Sequence, residues 1–284
     1  MRSNDPPADH DRATAKMSVA VIQFAPGKQP PDNLEALREH VAAAVQSGAK
    51  VVVAPEYSMY AVSRLDERVV AVAEPLTGPF VSGLGAIAAE FGVHLVAGTV
   101  ERGDPGSERI RNTLVAFDPS GTQIARYRKV HLYDAFGHRE SEVVEPGVIE
   151  TPATFEAGGV TFGMQTCFDL RFPEGFRRSA VAGAQVLLLP AQWIPGPAKV
   201  DQWTTLVRAR AIENTVYIAA ADQAAPRGAG ASMIVDPTGR IMAELGDGPG
   251  VITAEVDLEQ LAAVRAANPS LALRRFSITE RGQE

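Results

Sequence analysis

The chain has 284 residues, of which 45% are hydrophobic and 21% are charged, with a formal net charge of −7 and a pI near 5.4. This hydrophobic content is sufficient for a sizeable core. The acidic balance argues against a mainly electrostatic attachment to nucleic acid or anionic lipid, because both need a basic face on the protein. We therefore expect small-molecule chemistry, with neither nucleic acid nor a membrane as partner.

The first residues, MRSNDPPADHDRATAK, are rich in Asp, Pro and Ala and lack the apolar segment of a signal peptide. We expect residues 1–16 to form a mobile tail and residues 17–284 to form one domain. The only cysteine, Cys167, cannot form an internal disulfide. The longest apolar stretches fall short of the roughly 18 residues that suggest a membrane span. These features favour a cytoplasmic protein.

Strands and helices then alternate along the chain. The predicted elements are strand 18–24, helix 31–48, strand 50–56, helix 79–91, strands 94–100, 112–118, 122–130 and 160–166, helix 173–183, strand 185–190, helix 201–214, and strands 216–221, 231–236 and 251–257. In the first helix, Asp32 and Glu35 resemble a capping box, and Gly48 suits the position after the helix end. Several strands, such as KVVVAPE, are continuously apolar, which indicates that both of their faces are covered. The pattern predicts an α/β fold of layered sheets with outer helices.

Four residues stand at or just after the ends of predicted strands, namely Glu56, Lys129, Cys167 and Trp193. Ligands of open α/β sheets bind beyond the carboxyl ends of the strands, so these side chains are candidates for one site. A thiol at a strand-to-helix turn becomes a nucleophile when a base takes its proton, and the N–H of Phe168 could face the oxyanion that forms. A carboxylate can serve as that base and an ammonium can stabilise the oxyanion. Considered one at a time, the same residues are equally consistent with a cysteine that packs in the core and with charged side chains exposed to solvent.

Several longer motifs resemble a known family. The segments are VVVAPEYS, YRKVHLYDAFG, GMQTCFDLRFPE, LLLPAQW and QWTTLVRARAIENTVYIAAADQ, followed by GASMIVDPTGRIMAE and AEVDLEQLAAVRAANPSLALRR. In this order and spacing they are similar to the motifs of the nitrilase superfamily of carbon–nitrogen hydrolases, from about residue 18 to 275. Several long, ordered motifs are a specific signal. The resemblance implies a four-layer αββα sandwich, at least a homodimer paired through a helical face, and no metal or organic cofactor.

The resemblance also implies a catalytic Glu-Lys-Cys triad. Glu56 matches the general base of the family, Lys129 its lysine and Cys167 its nucleophile. A further active-site glutamate falls on Glu140, for which Glu142 and Glu145 are nearby competitors. Cys167 would form a thioester with the acyl group and release ammonia, and water activated by Glu56 would then hydrolyse the thioester.

The remaining candidates are the walls of the pocket and the residues around the nucleophile. Pocket walls are expected from the aromatic residues Tyr60, Tyr133, Phe136 and Trp193, and from Gln192, with core packing as the alternative for the aromatic ones. His131 and His138 supply too few ligands for a closed zinc site, so we expect supporting roles for them. Arg171 and Glu174 are expected to make structural ion pairs behind the nucleophile.

The sequence Cys-Phe-Asp at the nucleophile is closer to the amidase type, Cys-Tyr-Asp, than to the nitrile-cleaving type, Cys-Trp-Glu. The resemblance therefore implies an amidase of the Nit-type branch, whose members act on ω-amides of small dicarboxylates or on deaminated glutathione. Cleavage of a nitrile or of an N-carbamoyl amino acid is the alternative within the family. A non-catalytic binding or assembly module is the alternative of another class.

Overall fold

The structure, a computed structural model, describes residues 16–280. Its strands are β1 (Lys16–Gln23), β2 (Val51–Val53), β3 (His94–Arg102), β4 (Ile110–Phe117), β5 (Gln123–Arg128), β6 (Thr154–Ala157), β7 (Val160–Met164), β8 (Val186–Ala191), β9 (Tyr217–Asp222), β10 (Met233–Val235), β11 (Ile241–Glu244) and β12 (Gly250–Asp257). Its α-helices are α1 (Pro30–Gln46), α2 (Glu67–Val72), α3 (Pro79–Phe91), α4 (Pro173–Val181), α5 (Lys199–Asn214) and α6 (Leu258–Ala267), with 3-10 helices at Glu140–Glu142 and Cys167–Arg171.

The strands form two six-stranded sheets, in the orders β12-β1-β2-β3-β4-β5 and β11-β10-β9-β8-β7-β6. In each sheet three neighbouring strands are parallel, β1-β2-β3 in the first and β7-β8-β9 in the second, and the other pairs are antiparallel. This arrangement explains the continuous apolar runs, since the central parallel strands are covered on both faces.

Three apolar clusters join the layers. One lies between the two sheets and includes Val53, Val96 and Leu188. A second packs α1 and α3 against the outer face of the first sheet, and the third packs α4 and α5 against the outer face of the second. The result is the predicted four-layer αββα sandwich. None of the helices within residues 16–280 is both long and apolar enough to cross a membrane.

Most of the predicted elements are confirmed, with differences at helix starts and sheet edges. The capping box predicted at Asp32 is wrong, because α1 begins at Pro30, whose fixed φ suits a first helical position, and Gln29 precedes it without a side-chain cap. Gly48 does follow the helix end, with a φ of 86°. The proposed tail lies outside the described residues except for Lys16, which begins β1. The pattern did not predict the short edge strands β6 and β11 or the helices α2 and α6.

Candidate active site

Three buried charged side chains meet at the end of the first sheet. The ammonium of Lys129, just after β5, lies 2.9 Å from a carboxylate oxygen of Glu56 and 2.8 Å from one of Glu140. Glu56 follows β2, and Glu140 begins a 3-10 helix that turns its side chain inward. Burial alone would lower the pKa of Lys129, but the carboxylates of Glu140 and Glu56 outweigh it and raise that pKa well above its ordinary value. The lysine is therefore a fixed cation at neutral pH.

Glu56 is held on both of its carboxylate oxygens. Oε2 accepts a hydrogen bond of 2.7 Å from the backbone N–H of Gln192, and Oε1 accepts one of 2.6 Å from the side-chain amide of Asn112. β3 approaches the Glu56 backbone closely at Gly98, where a Cβ atom would lie only 2.7 Å from the Glu56 Cα. Any side chain at that position would displace the segment that carries the carboxylate.

Cys167 occupies a sharp turn after β7. Its φ of 45° lies in the left-handed region, an uncommon conformation for a residue with a side chain. The turn is fixed by a capping box in which the side chains of Thr166 and Asp169 each accept a hydrogen bond from the other's backbone N–H. Thr166 also donates its hydroxyl to the carbonyl of Pro190, 2.8 Å away. This second contact ties the turn to the end of β8.

The thiol lines the same cavity as Glu56, Lys129 and Glu140. In the structure it donates to the carbonyl oxygen of Gln192, 3.5 Å from the sulfur. Burial raises the pKa of Cys167 well above its ordinary value, the negative charge of Glu56 adds to this, and Lys129 opposes it. The resting nucleophile is thus a neutral thiol, and it needs a base beside it to become reactive.

Two residues of the cluster escaped the sequence analysis. Asn112, at the start of β4, donates to Glu56 and also lies 3.3 Å from Glu140. Tyr57 directly follows Glu56 and donates its hydroxyl to Glu140 over 2.8 Å. Burial, followed by the charge of Glu140, raises the pKa of Tyr57 well above its ordinary value, so it remains a donor. Two features of the sequence could have indicated them. Asn112 is a polar residue near the start of an apolar strand, and Tyr57 directly follows the candidate base.

A cavity of about 60 Å³ opens above the thiol. Of the predicted pocket walls, Tyr133 and Gln192 line it beside the catalytic candidates. Phe168 packs edge-to-face on Tyr133 at 5.0 Å, whereas Tyr60 belongs to the core of the first sheet. The remaining two aromatic candidates, Phe136 and Trp193, are not among the residues that line it; their ring centres lie 4.0–5.4 Å from the charged groups of Lys199 and Arg171.

The two histidines and Arg171 of the DLRFPE segment each make different contacts. His131 bonds through Nδ1 to Asp169 over 2.7 Å and stacks on Phe172, so it supports the turn behind the nucleophile. His138 packs near Tyr133. The ion pair expected for Arg171 is not formed with any carboxylate of residues 16–280; its guanidinium instead bonds the side-chain amide oxygen of Gln202.

Comparisons with known proteins show the family of this chain. The model of the carbon-nitrogen hydrolase family matches residues 18–266. A deaminated glutathione amidase of Escherichia coli O157:H7 is 37% identical over 262 residues, which cover 92% of this chain and 98% of the relative. The crystal structure of Nit3 from Saccharomyces cerevisiae, a member of branch 10 of the nitrilase superfamily, has a TM-score of 0.81 at 31% identity and covers 92% of this chain and 97% of that one.

A third comparison bears on the cysteine. A mutant of an amidase from Nesterenkonia sp. is 28% identical with a TM-score of 0.78, over 93% of this chain and 95% of that one. That structure shows covalent addition of the acetamide moiety of fluoroacetamide at its active-site cysteine. The family match spans both sheets and every residue of the buried cluster. This chain is a member of the carbon-nitrogen hydrolase family.

Proposed function

We propose that the protein is an amidase that hydrolyses a small carboxamide to a carboxylate and ammonia, with Cys167 as nucleophile. The observation that carries the proposal is a buried thiol that lines one small cavity together with the carboxylate of Glu56, which is itself paired with Lys129. A nucleophile, a base and a fixed cation in one cavity are the groups that acyl transfer requires. The names of the amidase relatives support the same class of reaction.

In the first half of the proposed reaction, the sulfur of Cys167 attacks the amide carbon while its proton passes to Glu56. The carbonyl oxygen becomes an oxyanion, stabilised by the ammonium of Lys129 and the backbone N–H of Phe168. The carbon–nitrogen bond then breaks, and the nitrogen takes the proton from Glu56 and departs as ammonia. An acyl thioester on Cys167 remains.

In the second half, water attacks the thioester carbon and gives a proton to Glu56. The same donors stabilise the second oxyanion, and its collapse breaks the carbon–sulfur bond. The thiolate of Cys167 takes the proton back from Glu56, and the carboxylic acid product is released and gives its own proton to water. Glu140 has a positioning role, because it accepts hydrogen bonds from Lys129 and from Tyr57.

The substrates proposed are ω-amides of small dicarboxylates and deaminated glutathione, since the yeast relative is named an ω-amidase and the Escherichia coli relative a deaminated glutathione amidase. Ammonia release from these amides, from simple aliphatic amides, from N-carbamoyl amino acids and from nitriles tests the proposal, with Cys167→Ala as control. Turnover of an amide that the variant abolishes supports it. A folded protein that releases ammonia from none of these compounds would favour the non-catalytic alternative.

We propose further that the protein works as a cytoplasmic homodimer and that residues 17–284 form one domain. Large apolar side chains are exposed at Val181 in α4, at Ile212 in α5 and at Leu273 beyond α6, and in the proposed dimer the partner protomer covers them. β1 pairs with β12 along its whole length, joining the two ends of the described chain in one sheet. Light scattering measures the oligomer, cell fractionation the location, and limited proteolysis tests for a single protected fragment.

A further inference from the structure

A buried carboxyl group that the proposed mechanism does not use lies next to the residues that hold the base. It belongs to Asp222, the last residue of β9, which is 0% exposed. Its Oδ1 accepts hydrogen bonds from the backbone N–H groups of Trp193, over 2.7 Å, and of Gln223, over 2.8 Å. Its Oδ2 is buried and accepts from no donor within residues 16–280, and no cation of those residues pairs with it.

These contacts favour the uncharged form of the carboxyl group. An ionised carboxylate needs donors on both oxygens, and a buried one that lacks them and has no cation beside it is costly. The Oε1 atom of Gln223 is also buried and accepts from no described residue, so the region is short of donors rather than of acceptors. Burial raises the pKa of Asp222 well above its ordinary value, and the negative charge of Glu56 adds to this, whereas the two backbone N–H groups oppose it.

The loop after β9 encloses the carboxyl group. At Gly228 a Cβ atom would lie 2.9 Å from Oδ1 of Asp222 and 2.2 Å from the carbonyl oxygen of Gln223, so only glycine fits there. The next residue, Ala229, donates its N–H to the carbonyl of Trp193 over 2.8 Å. The carboxyl group is therefore fixed among backbone groups and shielded from solvent.

Two short segments connect Asp222 with the proposed base. The N–H of Gln192 donates to Oε2 of Glu56 over 2.7 Å, and the next N–H along the chain, that of Trp193, is the one bound to Asp222. From the other side, the side-chain amide of Gln223 donates to the backbone carbonyl of Glu56 over 2.8 Å. Asp222 thus holds the segment that binds the carboxylate of the base, and its neighbour holds the segment that carries it.

We propose that Asp222 is a positioning residue for the proposed base: its carboxyl group, held uncharged, fixes the segment of Gln192 and Trp193 against Glu56. A charged Asp222 would add an anion near Glu56 and oppose formation of a thiolate at Cys167. The uncharged form supplies the same acceptor without that charge. This inference rests on the proposed amidase function, to which it adds a residue outside the lining of the cavity.

The first test compares two substitutions of Asp222. Asp222→Asn keeps an uncharged carbonyl oxygen for both N–H groups, whereas Asp222→Leu leaves the two donors buried without an acceptor. For an amide that the wild type cleaves, we expect Asp222→Leu to lower kcat about 10- to 100-fold with KM within about threefold. Asp222→Asn should restore kcat to within about threefold of the wild type. Full kcat in Asp222→Leu, or an equal loss in both variants, would overturn the positioning role.

A second test follows the charge without turnover. A carboxyl group whose pKa is raised by folding stabilises the folded protein fully below its unfolded pKa, and this contribution is lost as the pH rises toward the folded pKa. Asparagine does not titrate, so the unfolding temperature of Asp222→Asn, relative to the wild type, should rise between pH 5 and pH 8. This measurement also stands where Asp222→Leu fails to fold.

Asp236→Asn is the matched control. Asp236 is 1% exposed, and burial raises its pKa, but hydrogen bonds from Thr238 and Arg240 outweigh burial and lower that pKa. Its stabilising contribution is complete above the unfolded pKa, so the control should lose stability equally at pH 5 and pH 8.

The outcomes separate the inference from the function on which it rests. A difference between Asp222→Asn and the wild type that stays constant from pH 5 to pH 8 would overturn the uncharged form, even in an active amidase. The expected rise in a protein that cleaves no amide would support the uncharged carboxyl group and reject the amidase function.

Discussion

Replacing Glu140 by glutamine gives the sharpest test of how the buried charges work together. One oxygen of Glu140 accepts from the backbone N–H of Tyr133 over 2.6 Å and from Lys129 over 2.8 Å. The other accepts from the hydroxyl of Tyr57 over 2.8 Å and also from Lys129, over 3.1 Å. A glutamine must place its NH₂ group at one of these two positions. At either position that group faces the ammonium, so a charge-assisted bond is lost.

The expected effect follows from these contacts. Hydrogen bonds to charged groups are worth about 1.5–3 kcal/mol each, and Glu140→Gln removes a charge-assisted bond from Lys129 and weakens those from Tyr57 and Tyr133. In Glu140→Gln the ammonium of Lys129 keeps only Glu56 as anionic partner, which tightens its hold on the proposed base. If the loss of these interactions destabilises the transition state by about 3–4 kcal/mol, kcat/KM falls about 100- to 1000-fold, because each 1.36 kcal/mol corresponds to a factor of ten. The free energy of unfolding should fall as well.

Ammonia release and thermal unfolding, measured on the same samples, separate the two effects. Glu35→Gln is the matched control, since Glu35 lies in α1 away from the cavity, has a side chain 64% exposed and makes a 3.6 Å surface ion pair to Arg38. We expect the control to stay within about threefold of the wild type, as exposed ion pairs contribute about 1 kcal/mol or less. The reasoning would be refuted by a Glu140→Gln enzyme within threefold of the wild type, or by equal losses in both variants.

Three further predictions concern the same cluster. Cys167→Ala should retain the unfolding temperature of the wild type within a few degrees and lose all ammonia release, whereas residual turnover would show another nucleophile. The pKa of the Cys167 thiol is raised, mainly by burial, so its alkylation by iodoacetamide should accelerate up to alkaline pH; a plateau near pH 7 would contradict this. Lys129→Met leaves the carboxylates of Glu56 and Glu140 buried without their cation and should destabilise the fold by about 3–5 kcal/mol at neutral pH. Calorimetry measures the loss, and a variant as stable as the wild type would show that the argument is wrong.

The sheets were predictable because their signal is local. Three successive valines in β2 and the run VLLLPA in β8 indicate strands covered on both faces, and both strands are fully buried in the centres of their sheets. The edge strand β11, IMAE, carries no such signal, since its residues are half-buried or exposed. The start of α1 was misplaced because Pro30 supplies a helical φ without a side-chain cap, and the nearby acidic pair outweighed it.

The site was predictable as a set of strand ends, but its hydrogen bonds were not. Asn112 and Tyr57 contact their carboxylates through the tertiary fold, and no spacing in the sequence records which polar side chains meet across the sheets. The choice among Glu140, Glu142 and Glu145 likewise depended on orientation. The 3-10 helix turns Glu140 inward and Glu142 outward, while Glu145 accepts from Ser107 and pairs with an arginine.

The balance of charge explains why the proposed mechanism uses two glutamates and one lysine. With Lys129 alone, Glu56 would sit in a full buried ion pair, and the attraction would oppose transfer of the thiol proton to it. Glu140 shares the same ammonium and weakens that hold, so Glu56 can bind a proton while Lys129 keeps an anionic partner. The lysine thus remains charged and in place throughout the transfer, as a donor to the oxyanion must be. Loss of Glu140 should therefore impair proton transfer more than amide binding, and appear in kcat.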